Sequence, residues 1–290
     1  MEKSKNIPEL FIVGAPKCGT SSMDHYLSLH PEVFMAPKEL HQFGADLNII
    51  QEKESIDSYL DHFSEAQEPL LGESSVWYLY SSKAATEIHN IAPESKILVM
   101  LRNPADFAYS LHAQFIYDGD ELEVDPNKAI FNSDYGNSTN FESRPDYLEA
   151  AKFGAQAKRY LELFGRDQVK FVFLEDLISE PKRVYDECLS FLNLSPYAIE
   201  FKRINERKTV KSAKLQKLLR QKPEALKDFV KTLIPSKAIR HQLMLNLERF
   251  NKGGKQAELS AASRKRIFDI LKDDLMSLSE LTNRDLSHWS

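Results

Sequence analysis

The sequence predicts an α/β fold in three layers, with a central parallel sheet flanked by helices and a helical C-terminal part. Three observations lead there. Short apolar runs alternate with stretches of helical period, as expected of a parallel sheet covered on both faces. A glycine-containing turn joins the first apolar run to a helix. Residues 201–290 then read mostly as helix.

Residues 9–13 (ELFIV) read as a short buried strand, and residues 20–30 as a helix with Met23, Tyr26 and Leu27 on its inner face. The turn between them is P-loop-like. A Walker A loop, G-x-x-x-x-G-K-[ST], uses the lysine after its second glycine to reach the β- and γ-phosphates, and the next hydroxyl to hold magnesium. Here Gly14 and Gly19 keep the spacing, but Thr20 stands in the lysine slot and Lys17 lies inside the loop. A γ-phosphate therefore has no clamp. What is left is a cradle for one compact anion, with backbone N–H groups and the positive end of the helix dipole aimed at one point. Lys17, Thr20, Ser21 and Ser22 complete it.

The run PKCGTSS behind an apolar strand resembles the 5′-phosphosulfate loop of sulfotransferases that use 3′-phosphoadenosine 5′-phosphosulfate (PAPS). That resemblance implies donor binding by Lys17, Cys18, Gly19, Thr20, Ser21 and Ser22. Next, His30 to Met35 reads as a turn into a short strand, with Lys38, Glu39 and His41 directly after it. In α/β enzymes such a strand end opens onto the ligand crevice. HPEVFMAPKELHQF is similar to a segment of the heparan-type and related bacterial sulfotransferases, which implies Glu39 as the base for the acceptor and His41 as its assistant. LLGESSVWY resembles the segment bordering donor and acceptor in the same family, with Ser74 where those enzymes often carry a catalytic lysine, and Val76 in place of proline.

Residues 96–101 (KILVML) form the clearest buried strand. It runs into Arg102-Asn103-Pro104 and a helix over residues 105–117, with proline in the first turn, where a missing N–H does no harm. Arg102 at the strand end and Ser110 two turns into the helix suit a second phosphate. LRNPADFAYS resembles the family's 3′-phosphate motif, with Phe107 in place of a common arginine. Downstream the pattern predicts one amphipathic helix over residues 147–164, a strand over 169–174, a turn at Glu175-Asp176-Leu177, and a helix over 181–192. Residues 173–194 and 275–289 resemble further stretches of the family, the latter its C-terminal helix. The basic stretch 203–212 is a candidate lid, or a solvated charged loop.

With 290 residues and no Gly/Ser/Pro-rich linker, repeat or low-complexity tract, residues 1–290 read as a single domain behind a disordered tail, 1–6. No apolar run approaches the ~20 residues of a membrane span, and the N-terminus lacks a signal-peptide core, so a cytoplasmic location is expected. Cys18 and Cys188 form no C-x-x-C pair, and no disulfide is expected. A net charge of −5 argues against a nucleic-acid partner.

The resemblance implies sulfuryl transfer from PAPS, leaving adenosine 3′,5′-bisphosphate, without a metal because no triphosphate needs clamping. Lys17 would stabilise the leaving oxygen and Glu39 would be the general base. The acidic run Asp118, Asp120, Glu121, Glu123 and Asp125, if it faces the acceptor, favours a small neutral or cationic metabolite, with a glycan or glycolipid as the alternative. Outside this reading stand an atypical kinase and a nucleotide-binding module without turnover.

Overall fold

A computed structural model describes residues 7–47, 53–132, 145–202, 209–221, 231–232 and 236–289. The predicted tail 1–6 and most of the candidate lid, 203–208, lie outside these residues. Five strands, β1 (Leu10–Gly14), β2 (Val33–Met35), β3 (Leu70–Ser74), β4 (Lys96–Leu101) and β5 (Val169–Phe173), form one sheet in the order β2-β3-β1-β4-β5. All neighbours are parallel, so every strand ends at the same edge. The apolar runs are continuous because β1, β3 and nearly all of β4 are buried.

The helices in chain order are α1 (Thr20–Ser28), α2 (Ile56–Asp61), α3 (Ala84–Ile91), α4 (Pro104–Asp118), α5 (Pro126–Ala129), α6 (Tyr147–Ala150), α7 (Phe153–Phe164), α8 (Leu174–Ser179), α9 (Pro181–Phe191), α10 (Ala213–Gln221), α11 (Lys237–Asn251) and α12 (Ala261–Thr282). The chain steps from β1 one way to β2 and then back across to β4 and β5. Right-handed crossovers consequently put α3 and α7, which pack on each other, on the face opposite α1. That reversal opens a crevice at the C-terminal end of β1, the switch point where α/β sheets bind ligands. A bulge between Ile12 and Gly14 re-aims the end of β1 into it.

Four local expectations are corrected. The stretch 147–164 is two helices, because the Asp274 carboxylate on α12 accepts from Gly154 N and Ala155 N, both at 2.8 Å, and so caps a fresh start. Gly154 is required there, since a Cβ would lie 2.3 Å from the Asp274 carbonyl oxygen. The expected turn after β5 is the short helix α8, which leaves Leu174 out of the strand. Helix α1 stops before His30, which precedes a proline and turns its Nδ1 to accept from Glu32 N at 3.2 Å. Likewise, α12 ends at Thr282 with Asn283 left-handed (φ 50), and only a 3₁₀ turn, Ser287–Trp289, follows.

Candidate active site

Sequence order disperses the site residues, and the parallel sheet gathers them. Lys17 to Ser22 follow β1, Lys38 to His41 follow β2, Ser74 closes β3, Arg102 follows β4 and Glu175 follows β5. The phosphate loop is built on close approach: Gly14 has φ 127, and a Cβ on it would sit 2.1 Å from the Val76 carbonyl oxygen. Gly19 enters α1 with φ 89, and α1 has no side-chain cap. Its first-turn N–H groups are thus available to an anion.

Lys17 is held at φ 62, where the Arg102 guanidinium donates to its carbonyl at 3.3 Å. Its ammonium donates to Gln114 Oε1 on α4 at 3.0 Å. Cys18 is fully buried, and burial pushes its thiol well above the usual range, which does not suit a nucleophile; its N–H donates to Ala15 O at 3.3 Å. Thr20 and Ser21 hydroxyls both accept from Lys38 Nζ, at 3.3 and 3.1 Å. Ser22 N bonds back to Gly19 O at 3.0 Å, within the turn. Arg102 stands between β4 and α4, and Ser110 lies buried on α4. Asn103 caps α4 through its side chain, and its own N–H donates to Glu175 Oε1 at 2.8 Å. Phe107 is fully buried, with its ring against that of Phe153.

On the other side of the crevice, Glu39 Oε2 and His41 Nε2 meet at 2.8 Å. Both belong to a stretch without helix or strand, and a buried carboxylate holds it. Glu73, 1% exposed, accepts from Tyr59 OH (2.6 Å), Ser75 Oγ (2.6 Å) and Tyr78 OH (2.8 Å). Two of these hydroxyls accept in turn from the stretch that carries Glu39 and His41, Ser75 Oγ from His41 N at 3.0 Å and Tyr78 OH from Phe43 N at 3.2 Å. Each backbone N–H occupies a lone pair of its hydroxyl and leaves the hydroxyl proton to Glu73. Burial pushes the Glu73 carboxyl up, while the three hydroxyls and His41 oppose it. Sequence reading did not single out Glu73 or Gln114 as site residues. Glu73 alone left a trace, as a carboxylate inside a strand-like run.

The acidic run does not present itself as one charged face. Glu121 is buried, accepting from Leu122 N, Glu123 N and Tyr147 OH. Glu123 accepts from Asp125 N, and Asp125 caps α5. Asp118 turns toward the site: both its oxygens accept from Gln114 Nε2, at 3.0 and 2.8 Å, behind Lys17.

The donor set fits a nucleotide bearing phosphates at both ends of its ribose. One end meets an uncapped helix start with two lysines, the other an arginine fixed by β4, and Ser74 Oγ and His41 Nδ1 at the crevice are buried without a hydrogen-bond partner. Among the described residues no three His, Cys, Asp or Glu side chains gather as a metal site. No described helix is long and apolar enough to cross a membrane.

Fold and site together define a class: an α/β domain with a phosphate loop at the C-terminal end of β1 that lacks the lysine of a triphosphate clamp. More particularly, the chain belongs to the sulfotransferase domain family, whose model matches residues 8–232. A sulfotransferase from Alicyclobacillus acidocaldarius shares 27% identity and superposes with a TM-score of 0.73, covering 97% of this chain and 98% of that one. The bifunctional heparan sulfate N-deacetylase/N-sulfotransferase 1 of Caenorhabditis briggsae is 26% identical over 207 residues, covering 68% of this chain and 24% of that protein. Mouse carbohydrate sulfotransferase 15 is 27% identical over 253 residues, covering 66% and 44%. The chain thus spans less than half the length of these two relatives.

Proposed function

We propose that this chain transfers the sulfuryl group of PAPS to a hydroxyl or amine of a small neutral or cationic metabolite, with Glu39 as general base, His41 orienting it and Lys17 stabilising the leaving oxygen. The observation that carries the base assignment is the Glu39–His41 pair at 2.8 Å, one residue along from a lysine that reaches the phosphate loop. PAPS supplies a mixed anhydride, in which sulfur already bears a good leaving group. Protein groups then have three tasks: to hold the donor in line, to neutralise charge on the leaving oxygen and to take the acceptor's proton. Thr20, Ser21, Ser22 and the first turn of α1 serve the 5′ end, and Arg102 with Ser110 the 3′-phosphate. A bridging metal has no part in this scheme.

The acceptor reading draws on Ser74, which brings no positive charge to the crevice, and on Asp118 behind Lys17, together with the net charge of −5. Such surroundings repel a polyanion. A glycan acceptor is the second reading, favoured by the carbohydrate and heparan sulfate enzymes among the relatives. Labelled PAPS offered with a panel of sulfated glycans, neutral sugars, phenols, amines and guanidinium compounds separates the two. Preferential labelling of the sulfated glycans overturns the first.

The donor is tested by thermal shift. Adenosine 3′,5′-bisphosphate without magnesium should stabilise the protein by about 2.7 kcal/mol at a hundred times its Kd. Stabilisation by ATP with magnesium alone would overturn the donor assignment.

A further inference from the structure

Lys38 has no role in the scheme above, although its ammonium lies within hydrogen-bond reach of two hydroxyls of the phosphate loop, Thr20 Oγ1 at 3.3 Å and Ser21 Oγ at 3.1 Å. Those hydroxyls occupy the first two positions of α1, at the point where its uncapped N–H groups converge. An ammonium there stands at an anion's position and partners groups that would otherwise turn toward one. As a residue Lys38 is exposed, but its charged end is crowded enough against α1 for desolvation to lower its pKa, with Asp24 and Glu39 opposing. Asp24 lies one turn further along α1, and its Oδ1 is buried without a hydrogen-bond partner. Asp24 and Glu39 thus offset part of the cost of holding the ammonium against the loop. Lys17, by contrast, reaches sideways to Gln114 on α4. Lys17 belongs to the loop itself, and Lys38 reaches it from the stretch after β2.

Resting on the sulfotransferase reading, we infer that Lys38 is the second cation of the donor site, neutralising the sulfuryl end of PAPS as the group departs. The step has a fixed balance. The bond from sulfur to the 5′-phosphate oxygen breaks and leaves its electron pair on that oxygen. A bond forms from sulfur to the acceptor oxygen, and the acceptor's proton passes to Glu39. Negative charge grows on the leaving oxygen and stays on the three sulfuryl oxygens throughout, more than one lysine neutralises. Lys38 and Glu39 are adjacent in sequence, so a single stretch after β2 carries a cation for the donor and a base for the acceptor. Placing one places the other.

The test needs no knowledge of the acceptor, because water can take its place. Release of sulfate from radiolabelled PAPS is measured beside calorimetric affinities for PAPS and for adenosine 3′,5′-bisphosphate, in wild type, Lys38→Met and Lys38→Arg. Lys38→Met should lower sulfate release from the saturated complex by about 10²-fold, as expected for loss of one transition-state partner, with bisphosphate affinity within about threefold of wild type. Lys38→Arg, which keeps the charge, should recover most of the loss. Wild-type sulfate release from Lys38→Met overturns the inference. So does an equal loss of affinity for both nucleotides with an unchanged rate once bound, which would make Lys38 a grip on the 5′-phosphate alone. If the wild type binds neither nucleotide, the donor assignment itself fails, an outcome distinct from any failure confined to the Lys38 variants.

Discussion

On the donor side of the crevice, functional groups sit directly at the ends of regular elements: Lys17 to Ser22 on the turn from β1 into α1, and Arg102 where β4 gives way to α4. On the acceptor side, Glu39 and His41 stand on residues 36–47, which have neither helix nor strand. The first side is placed by local geometry, a glycine spacing and a strand end. The second is placed at a distance, by a buried carboxylate, Glu73, that accepts from three hydroxyls, two of which, on residues 75 and 78, hold the backbone at 41 and 43. Rigidity reaches the base through side chains, where the donor obtains it from backbone.

If the two sides are separable in this way, variants should divide their effects. The largest is expected from Glu39→Gln, which keeps shape and removes the base. Turnover with any acceptor identified in the panel should fall by roughly 10²- to 10⁴-fold while bisphosphate affinity holds. A variant turning over at the wild-type rate would move the base to another group, His41 being next. Arg102→Ala should do the reverse. Loss of charge-assisted hydrogen bonds to a phosphate is worth about 1.5–3 kcal/mol, so bisphosphate affinity measured by calorimetry should drop by about one to two orders of magnitude. Unchanged affinity would detach Arg102 from the donor side.

The smallest effect sharpens the comparison most. Glu73→Gln places an amide among three hydroxyl protons and should cost about 1–3 kcal/mol in thermal or denaturant unfolding, as for a buried polar group left poorly paired. Its pH dependence has a definite sign. Burial raises the folded pKa of Glu73, so its contribution to stability is full below the unfolded value and declines as pH rises through the folded one. The glutamine variant should lose that part of the slope in unfolding curves measured from mildly acidic to neutral pH. An unaltered slope would mean that the carboxyl is not the titrating anchor of residues 41–43.

The same contrast explains what was legible beforehand. Strands β1 and β4 announce themselves as apolar runs, and Lys17, Thr20 and Arg102 as residues at fixed offsets from them, because those placements depend on neighbours in sequence. The break between α6 and α7 was invisible: the group that caps the second helix, Asp274, lies on α12, far along the chain. Lys38 could be seen as a charge but not as a partner of Thr20 and Ser21. Gln114, an ordinary polar residue on a helix, becomes a contact of Lys17 only once α4 packs beside the loop. The acidic run misled for a related reason, since a one-dimensional count of charges does not reveal that Glu121 turns inward and Asp125 caps a helix.

The position of β1 bears on how the protein is made. The strand leaves the ribosome before the other four yet lies at the middle of the sheet, where Leu10 pairs with Gly72 on one side and Lys96 on the other. Until those segments have been synthesised, the most apolar stretch of the N-terminal region has no partner for its backbone, and the turn after it has no floor. Non-local pairings of this kind fold slowly and leave strand edges open in the meantime. Ribosome-bound chains halted before residue 96 should therefore hold this segment in a protease-sensitive, chaperone-accessible form.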